Sequence, residues 1–297
     1  MNNITCRLHK CRFALSVGKA DEFGELIPGS LRDAGEHPNL ILDAGLSRLL
    51  AGDSSNTFQI GTGNTAVNRT QTTLAAHHSG FGITGSATPS VTGTDEIGPY
   101  IEWYCSGQSA VFGSAVNIAE IGFGWGTSGA TLISRALTRD AGGTPTVIPI
   151  LGGEILVVTY YFRLYLPQGT ASGTITVTTD GVPASIDWTS VPRVGQTLGL
   201  GGGTGLDLLN LANAITVGGA SRSLTRSAAV IDANGASLFV YWNKAGNSGD
   251  STITGFTSVI ATVRSIPVDI ALSPSYVVSN DQKALIGFRY YLTQDYS

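Results

Sequence analysis

The sequence predicts a mainly β protein, an antiparallel β-sandwich of jelly-roll-like character with one or two short helices. Three observations carry that prediction. Apolar residues recur with period two in many short segments, turns rich in Gly, Ser and Thr separate those segments, and helix signals are confined to two places. Composition points the same way. Of 297 residues 39 are Gly, 32 Thr and 28 Ser, and β-branched residues suit a pleated surface while glycine serves turns. Charged residues make up 13%, about half the usual share of roughly 25%. The hydrophobic fraction of 42% is too high for a disordered chain, and four Lys are too few for a coiled coil. A chain this long can bury roughly 70–75% of its unfolded surface, so it needs no disulfide or metal to fold.

Residues 1–38 combine Arg7, Lys10 and Arg12, then Asp21, Glu22 and Glu25, then Pro28-Gly29. They are expected to form an N-terminal assembly arm that gains order on a neighbouring molecule, by strand addition at a sheet edge. Residues 39–297 form the β-sandwich body, with a sub-boundary near 167–173. Asp43 can cap a short helix whose apolar face is Leu42, Leu46, Leu49 and Leu50, with Gly52 as the stop. Thr57–Ile60 is a short strand. Ile101, Trp103 and Cys105 share one face of another, alternating with Glu102 and Tyr104. From Glu154 to Leu166 a long strand places Leu156, Val158, Tyr160, Phe162, Leu164 and Leu166 on one face. Ile155, Val157, Tyr161 and Tyr165 occupy the other, which predicts cover on both sides.

A second helix is expected over Leu206–Ile215, entered through Thr204 and Asp207 and ended near Gly218-Gly219. Asn234-Gly235, between Ala228–Ile231 and Ser237–Trp242, is the strongest hairpin signal in the chain. Ile266, Val268, Ile270 and Leu272 alternate in a strand that Pro267 assigns to a sheet edge. Ala284, Ile286, Phe288, Tyr290 and Leu292 repeat the pattern. Residues 155–166 and 284–293 both set aromatics around an Arg, as two central strands of one sheet would.

The formal net charge of −4 argues against nucleic acid, because phosphate neutralisation needs a surplus of Lys and Arg. The most apolar run, Ile155–Phe162, is too short to insert in a membrane as a helix. No apolar core follows the N-terminal basic residues, so no secretory signal peptide is expected. The odd set Cys6, Cys11 and Cys105 fits reduced thiols.

Motifs with chemical potential lack their contexts. Gly61-Thr-Gly63-Asn64-Thr-Ala66 fits the dinucleotide pattern, but no helix or βαβ repeat follows, so a tight turn is expected and no cofactor. Gly61 and Gly63 would supply positive φ, with Asn64 tolerant of it. Gly199–Gly205 lacks the Lys of a phosphate loop. Cys6, His9 and Cys11 supply at most part of a zinc site, for which His77-His78 would have to complete the set, so no metal is expected. Asn243–Asp250 lacks the spaced carboxylates of a calcium loop. Asp180 and Asp187 lie near a turn without a sign of a glycosidase pair, and no nucleophile elbow accompanies the four His. The expectation is a non-enzyme. Glu120, between apolar neighbours, needs a partner if it faces inward, and Arg135 and Arg139 are the candidates.

Asn39-Leu-Ile-Leu-Asp-Ala-Gly-Leu-Ser-Arg-Leu-Leu leads into Phe58-Gln-Ile-Gly-Thr-Gly-Asn-Thr-Ala, then Thr70-Gln-Thr-Thr-Leu-Ala, then Ile118-Ala-Glu-Ile-Gly-Phe and Ile133-Ser-Arg-Ala-Leu. In order and spacing this series resembles a loose group of tailed-bacteriophage virion proteins, over residues 39–166. The resemblance implies a structural role in a virion, on the tail as a fibre, collar or baseplate-associated protein. Its partners would be further copies of itself and other virion proteins, after synthesis in the host cytoplasm. Gly61, Gly63, Asn64 and Glu120 then belong to a structural motif. A capsid decoration or head-fibre protein is the alternative. A carbohydrate-binding module that recognises a host surface glycan is another, for which Trp125, Trp188 and Trp242 are available for stacking.

Overall fold

The computed structural model describes residues 3–51, 55–84, 88–127, 129, 131–166, 170–179, 182–192, 214–217, 220–223, 225–244, 251–257, 268–278 and 284–294. Strands hold 58% of the chain, against one nine-residue helix among the described residues, so the mainly β, sandwich-like class stands.

In chain order, β1 (Asn3–Leu8) and β2 (Arg12–Lys19) are followed by β3 (Arg32–Pro38), β4 (Leu40–Ile41), helix α1 (Asp43–Ala51), β5 (Thr57–Gly61) and β6 (His77–Gly82). Next come β7 (Thr88–Thr94), β8 (Pro99–Gln108), β9 (Val116–Ile118), β10 (Glu120–Gly124), β11 (Leu132–Leu137), β12 (Ile148–Ile150) and β13 (Glu154–Tyr165). The remaining strands are β14 (Ala171–Thr179), β15 (Val182–Pro192), β16 (Ala214–Val217), β17 (Ala220–Ser223), β18 (Thr225–Arg226), β19 (Val230–Asp232), β20 (Gly235–Lys244), β21 (Ser251–Thr257), β22 (Val268–Val278) and β23 (Ala284–Gln294).

A ten-stranded sheet runs β18-β20-β23-β1-β13-β2-β3, with β19 on β20 and with β8, carrying β7, on the other side of β13. A five-stranded sheet, β4-β11-β10-β5-β6, packs on it. The contact between them is aromatic: Tyr160 of β13 lies 4.9 Å from Phe123 of β10 by ring centroids, and each ring has a neighbour in its own sheet, Phe13 at 4.9 Å from Tyr160 and Phe58 at 5.0 Å from Phe123. The sheets approach so closely that a Cβ on Gly107 would stand 2.6 Å from the Phe58 ring. Helix α1 buries Leu46, Leu49 and Leu50. Its Gly45 lets it lie against β11, where a Cβ would meet the Ile133 carbonyl oxygen at 2.2 Å; the expected stop, Gly52, lies outside the described residues. A pair β9–β12 and a six-stranded sheet, β14-β15-β22-β21-β16-β17, complete the fold.

Several expectations are corrected. Residues 3–38 are not a detached arm: β1 and β2 line one edge of β13, and Cys6, Leu8, Phe13, Leu15 and Val17 are core residues. Their apolar positions, spaced by two, satisfy this chain's own sheet. The expected cover of both faces of β13 is also half wrong. Leu156 through Leu164 are buried on the inner face; on the outer face Ile155 and Tyr165 are buried as expected, whereas Val157, Thr159, Tyr161 and Arg163 between them are half-buried. β22 is an interior strand, paired with both β15 and β21, and it begins only at Val268; Pro267 lies outside the described residues. Residues 206–213 of the expected second helix also lie outside them, and its last two, Ala214 and Ile215, open strand β16.

The expected hairpin forms with its tip one residue earlier, at Ala233-Asn234, because Asp232 Oδ1 accepts from the N–H of Asn234 and of Gly235. Gly235 is the first strand residue, and a Cβ there would stand 1.9 Å from the Leu292 carbonyl oxygen. The two look-alike segments are central strands of one sheet: β13 and β23 flank β1 on either side. The β1–β23 pairing is parallel, a departure from the all-antiparallel expectation. The sub-boundary near 167–173 falls between β13 and β14, with 167–169 outside the described residues.

Candidate functional site

The glycine motif surrounds an internal anion. Gly61 ends β5 and Glu120 opens β10 directly opposite it in the ladder, so the Glu120 carboxylate is delivered under the loop that leaves β5. Oε1 accepts from the N–H of Gly63 at 3.1 Å and of Ala76 at 2.7 Å. Oε2 accepts from the N–H of Ala75 at 3.0 Å and from Arg135 Nε at 2.8 Å, with Arg135 Nη2 at 2.6 Å. Both side chains are fully buried. The rest of the Arg135 fork donates to Gln71 Oε1 at 2.8 Å and to the Thr65 carbonyl at 2.9 Å. Of the two partners open from sequence, Arg135 is the one. Arg139 instead donates to the Gly143 carbonyl.

This geometry explains the glycines differently from expectation. Neither Gly61, Gly63 nor Asn64 adopts positive φ; the one non-glycine that does, among the described residues, is Lys10 at 57°. The glycines provide room. A Cβ on Gly61 would stand 2.6 Å from Glu120 Oε1 and 2.5 Å from the Ala76 carbonyl oxygen, and one on Gly63 would stand 2.5 Å from Glu120 Oε1. Asn64 is exposed on the loop beyond them. The main-chain N–H of Gly63, which a dinucleotide phosphate would need, is occupied by this chain's own carboxylate, and that of Thr62 by the Ala76 carbonyl. The loop is thereby tied to β10 and β11 at both its ends.

From the same loop Arg69 reaches outward. It binds Asp43 at the start of α1 and donates to the carbonyls of Ala233 and Asp232 at the hairpin tip, where Tyr291 also hydrogen-bonds Asp232. Glu120–Arg135 ties the loop to β10 and β11, and Arg69 joins it to the C-terminal strands. Nothing in the sequence marked Arg69, because its partners lie 26 residues before it and about 165 after it.

A second feature is the fork of the large sheet. Along β13 the strand β1–β2 is broken at Lys10, and beyond the break β1 turns to β23 while β2 turns to β3. The gap is an open pocket of about 340 Å³ with Leu8 and Pro38 in its floor and Lys10, Arg12, Glu36 and Arg163 at its rim. Gln294 closes one side by pairing its amide with both main-chain groups of Ile41, at 3.0 and 2.8 Å.

Three cations at the fork are each paired with two of four carboxylates. Lys10 binds Asp95 (3.0 Å) and Glu96 (2.7 Å), Arg12 binds Glu36 (3.0 Å) and Glu102 (3.0 Å), and Arg163 binds Glu102 (2.8 Å) and Asp95 (3.3 Å). Burial alone would raise the Asp95 carboxyl. Hydrogen bonds from the Tyr165 hydroxyl, the Ile97 N–H and Lys10 outweigh it and hold Asp95 below the ordinary carboxylate range. Arg12 lies over Tyr161 and Arg163 over Tyr100, each 4.0 Å from the ring centroid.

The other sequence candidates are not gathered into a site. Cys6 and Cys11 are buried with thiols pushed up to about 12 by desolvation. His9 stands against the Tyr165 ring, and His77 meets the Thr127 carbonyl. Among the described residues no three His, Cys, Asp or Glu side chains are grouped to hold a metal. Asp187 accepts from the Thr174 hydroxyl on an exposed strand face, while Asp180 lies outside the described residues. Trp188 is buried and Trp125 lies under Arg48, so neither presents an open face for a sugar; the Trp242 side chain lies outside the described residues. Among the described residues no helix is long and apolar enough to cross a membrane. Comparison with protein-family models, with curated proteins and with solved structures gives no match.

Proposed function

We propose that the chain is a structural component of a tailed-phage virion, tail-associated, that acts by assembly and not by catalysis. The observation that carries this reading is the Glu120–Arg135 centre. Several of the residues on which the resemblance to the virion group rests, Gly63, Thr65, Gln71, Ala75, Glu120 and Arg135, build one buried, internally satisfied staple. Their chemistry is spent on holding a loop to a β-scaffold, with no face of the carboxylate left for a substrate. A buried ion pair of this kind specifies one arrangement of loop and sheet, which a repeating assembly requires of each subunit.

The test is location. Antibody against the purified chain, applied to purified particles and followed by electron microscopy, is expected to label tails. Label on heads would favour the decoration or head-fibre alternative, and no label would refute a virion role. The glycan-binding alternative is favoured by one observation, the fork pocket with its ion-paired Arg and Glu groups and neighbouring Tyr rings. Calorimetric titration with neutral oligosaccharides of the host surface decides it.

A further inference from the structure

Six of the nine large apolar side chains exposed on the described surface gather at one end of the sandwich. They are Phe23 (81% exposed), Ile27 and Leu31 in the β2–β3 connection, Val111 after β8, and Val147 and Leu151 around β12. The three connections are bonded to one another. Ala20 N–H donates to the Gly153 carbonyl, Gly153 N–H to the Phe112 carbonyl, and Arg32 Nη2 to the Pro149 carbonyl. A Cβ on Gly24, next to Phe23, would touch Val111 Cγ2 at 3.5 Å. Phe23 is displayed deliberately: Asp21 Oδ1 accepts from the N–H of both Phe23 and Glu25, at 2.9 and 2.8 Å, and Gly24 takes φ +83°. These bonds hold the turn that leaves the Phe23 ring in solvent.

We propose that this end is a self-association surface whose occupant is the same surface of a second copy, related by a two-fold axis. Area supports that occupant. The six side chains expose roughly 500 Å² of apolar surface, at the upper end of what a lone protein shows. Homodimer interfaces are about 65% apolar, so this patch corresponds to roughly 800 Å² per partner, the standard size for a stable pair.

Charge supports it as well. The hairpin carries Asp21, Glu22 and Glu25 at its tip and Lys19 and Arg32 at its base, Arg32 sharing Glu154. A two-fold contact must be self-complementary, and antiparallel apposition of two such hairpins sets each acidic tip on the other's base. A uniformly acidic patch would repel its copy; here Lys19, with Arg32 shared by Glu154, gives each acidic tip a cationic counterpart on the other copy. The inference goes beyond the virion reading and does not require it.

Sedimentation equilibrium of the purified full chain tests the pairing. The wild type is expected at twice the 30.8 kDa chain mass when loaded at up to about 100 μM, a range that reveals micromolar affinity. Phe23→Asp and, separately, Leu151→Asp should give the single-chain mass, with a melting temperature equal to that of the wild type at a dilution where the wild type is also single, since both side chains are solvent-exposed. Lys19→Glu should weaken the pair at least tenfold, and adding Glu22→Lys should restore it. A wild type that stays at the single-chain mass, or a Phe23→Asp protein that keeps the double mass, overturns the proposal. A wild type that is single in solution yet enters particles also overturns it, and assigns the patch to another virion protein. A pair that never enters particles keeps the surface and refutes the virion role instead.

Discussion

Replacing Glu120 by Gln tests the staple with almost no change of volume. Both Glu120 oxygens accept main-chain N–H bonds, and Oε2 also takes two nitrogens of Arg135. In Gln one of those positions becomes an NH₂ that donates toward donors, and the Arg135 guanidinium is left fully buried without its counter-charge. Breaking one side of a buried pair costs about 3–5 kcal/mol. At about 2–4 °C per kcal/mol that is a fall in Tm of roughly 10 °C. The control is Glu36→Gln, whose carboxylate pairs with Arg12 but is 61% exposed and so should cost under about 1 kcal/mol. Urea unfolding read by tryptophan fluorescence measures both, and trypsin adds a local reading. With the loop released from Glu120, cleavage after Arg69 should appear in Glu120→Gln at concentrations where the wild type resists. A loss below about 1 kcal/mol with no new cleavage would refute the staple, because it would mean that the loop is held by something other than this carboxylate.

Gly61→Ala and Gly63→Ala should each destabilise by about 1–3 kcal/mol, the usual cost of overpacking, because each Cβ falls within 2.6 Å of Glu120 Oε1; a neutral effect in thermal unfolding would contradict the close approach. Buried His37 is held neutral: burial lowers its pKa, Nδ1 accepts from the Arg139 N–H, and Nε2 meets the Ala34 carbonyl. Its contribution is present above the unfolded value near 6.5 and is lost as pH falls below it, since the unfolded chain then binds the proton more readily. The Tm difference between pH 7.5 and 5 should therefore be smaller in His37→Gln, with the remainder from His9, whose pKa burial and its cationic neighbours also lower. Cys6, Cys11 and Cys105 should be silent to a thiol reagent in the folded protein and all react in denaturant, because each thiol is buried with its pKa raised; reaction of any of them in the native state would show that its strand opens.

The local rules of the backbone made much of this protein legible in one dimension. Period-two runs such as Leu156–Leu164 and Ile101–Cys105 mark strands because side chains alternate across a pleated chain whatever its partner. The apolar face of α1 and the turn at Asp232–Gly235 are likewise short-range facts. Glu120 was legible as an inward charge in need of a partner for the same reason.

Partnership is a different quantity, and only the tertiary structure decided it. Residues 1–38 read as an arm because their charges are visible in sequence, whereas the strand that accepts their apolar face, β13, lies some 150 residues away. The outer face of β13 looked covered because its aromatics count as apolar. In the structure Ile155 and Tyr165 at the two ends of that face are buried, while Tyr161 between them lies under Arg12 and is only half-buried. The choice of Arg135 over Arg139 depended on register: Arg135 stands beside Gly122 in β11, on the face that Glu120 shares, and residues two apart on paired strands can touch while those outside the ladder cannot. The glycines of the motif carried the clearest lesson. Sequence shows that a side chain is missing there, and only the folded chain shows that the space is needed for a carboxylate arriving from 57 residues further on.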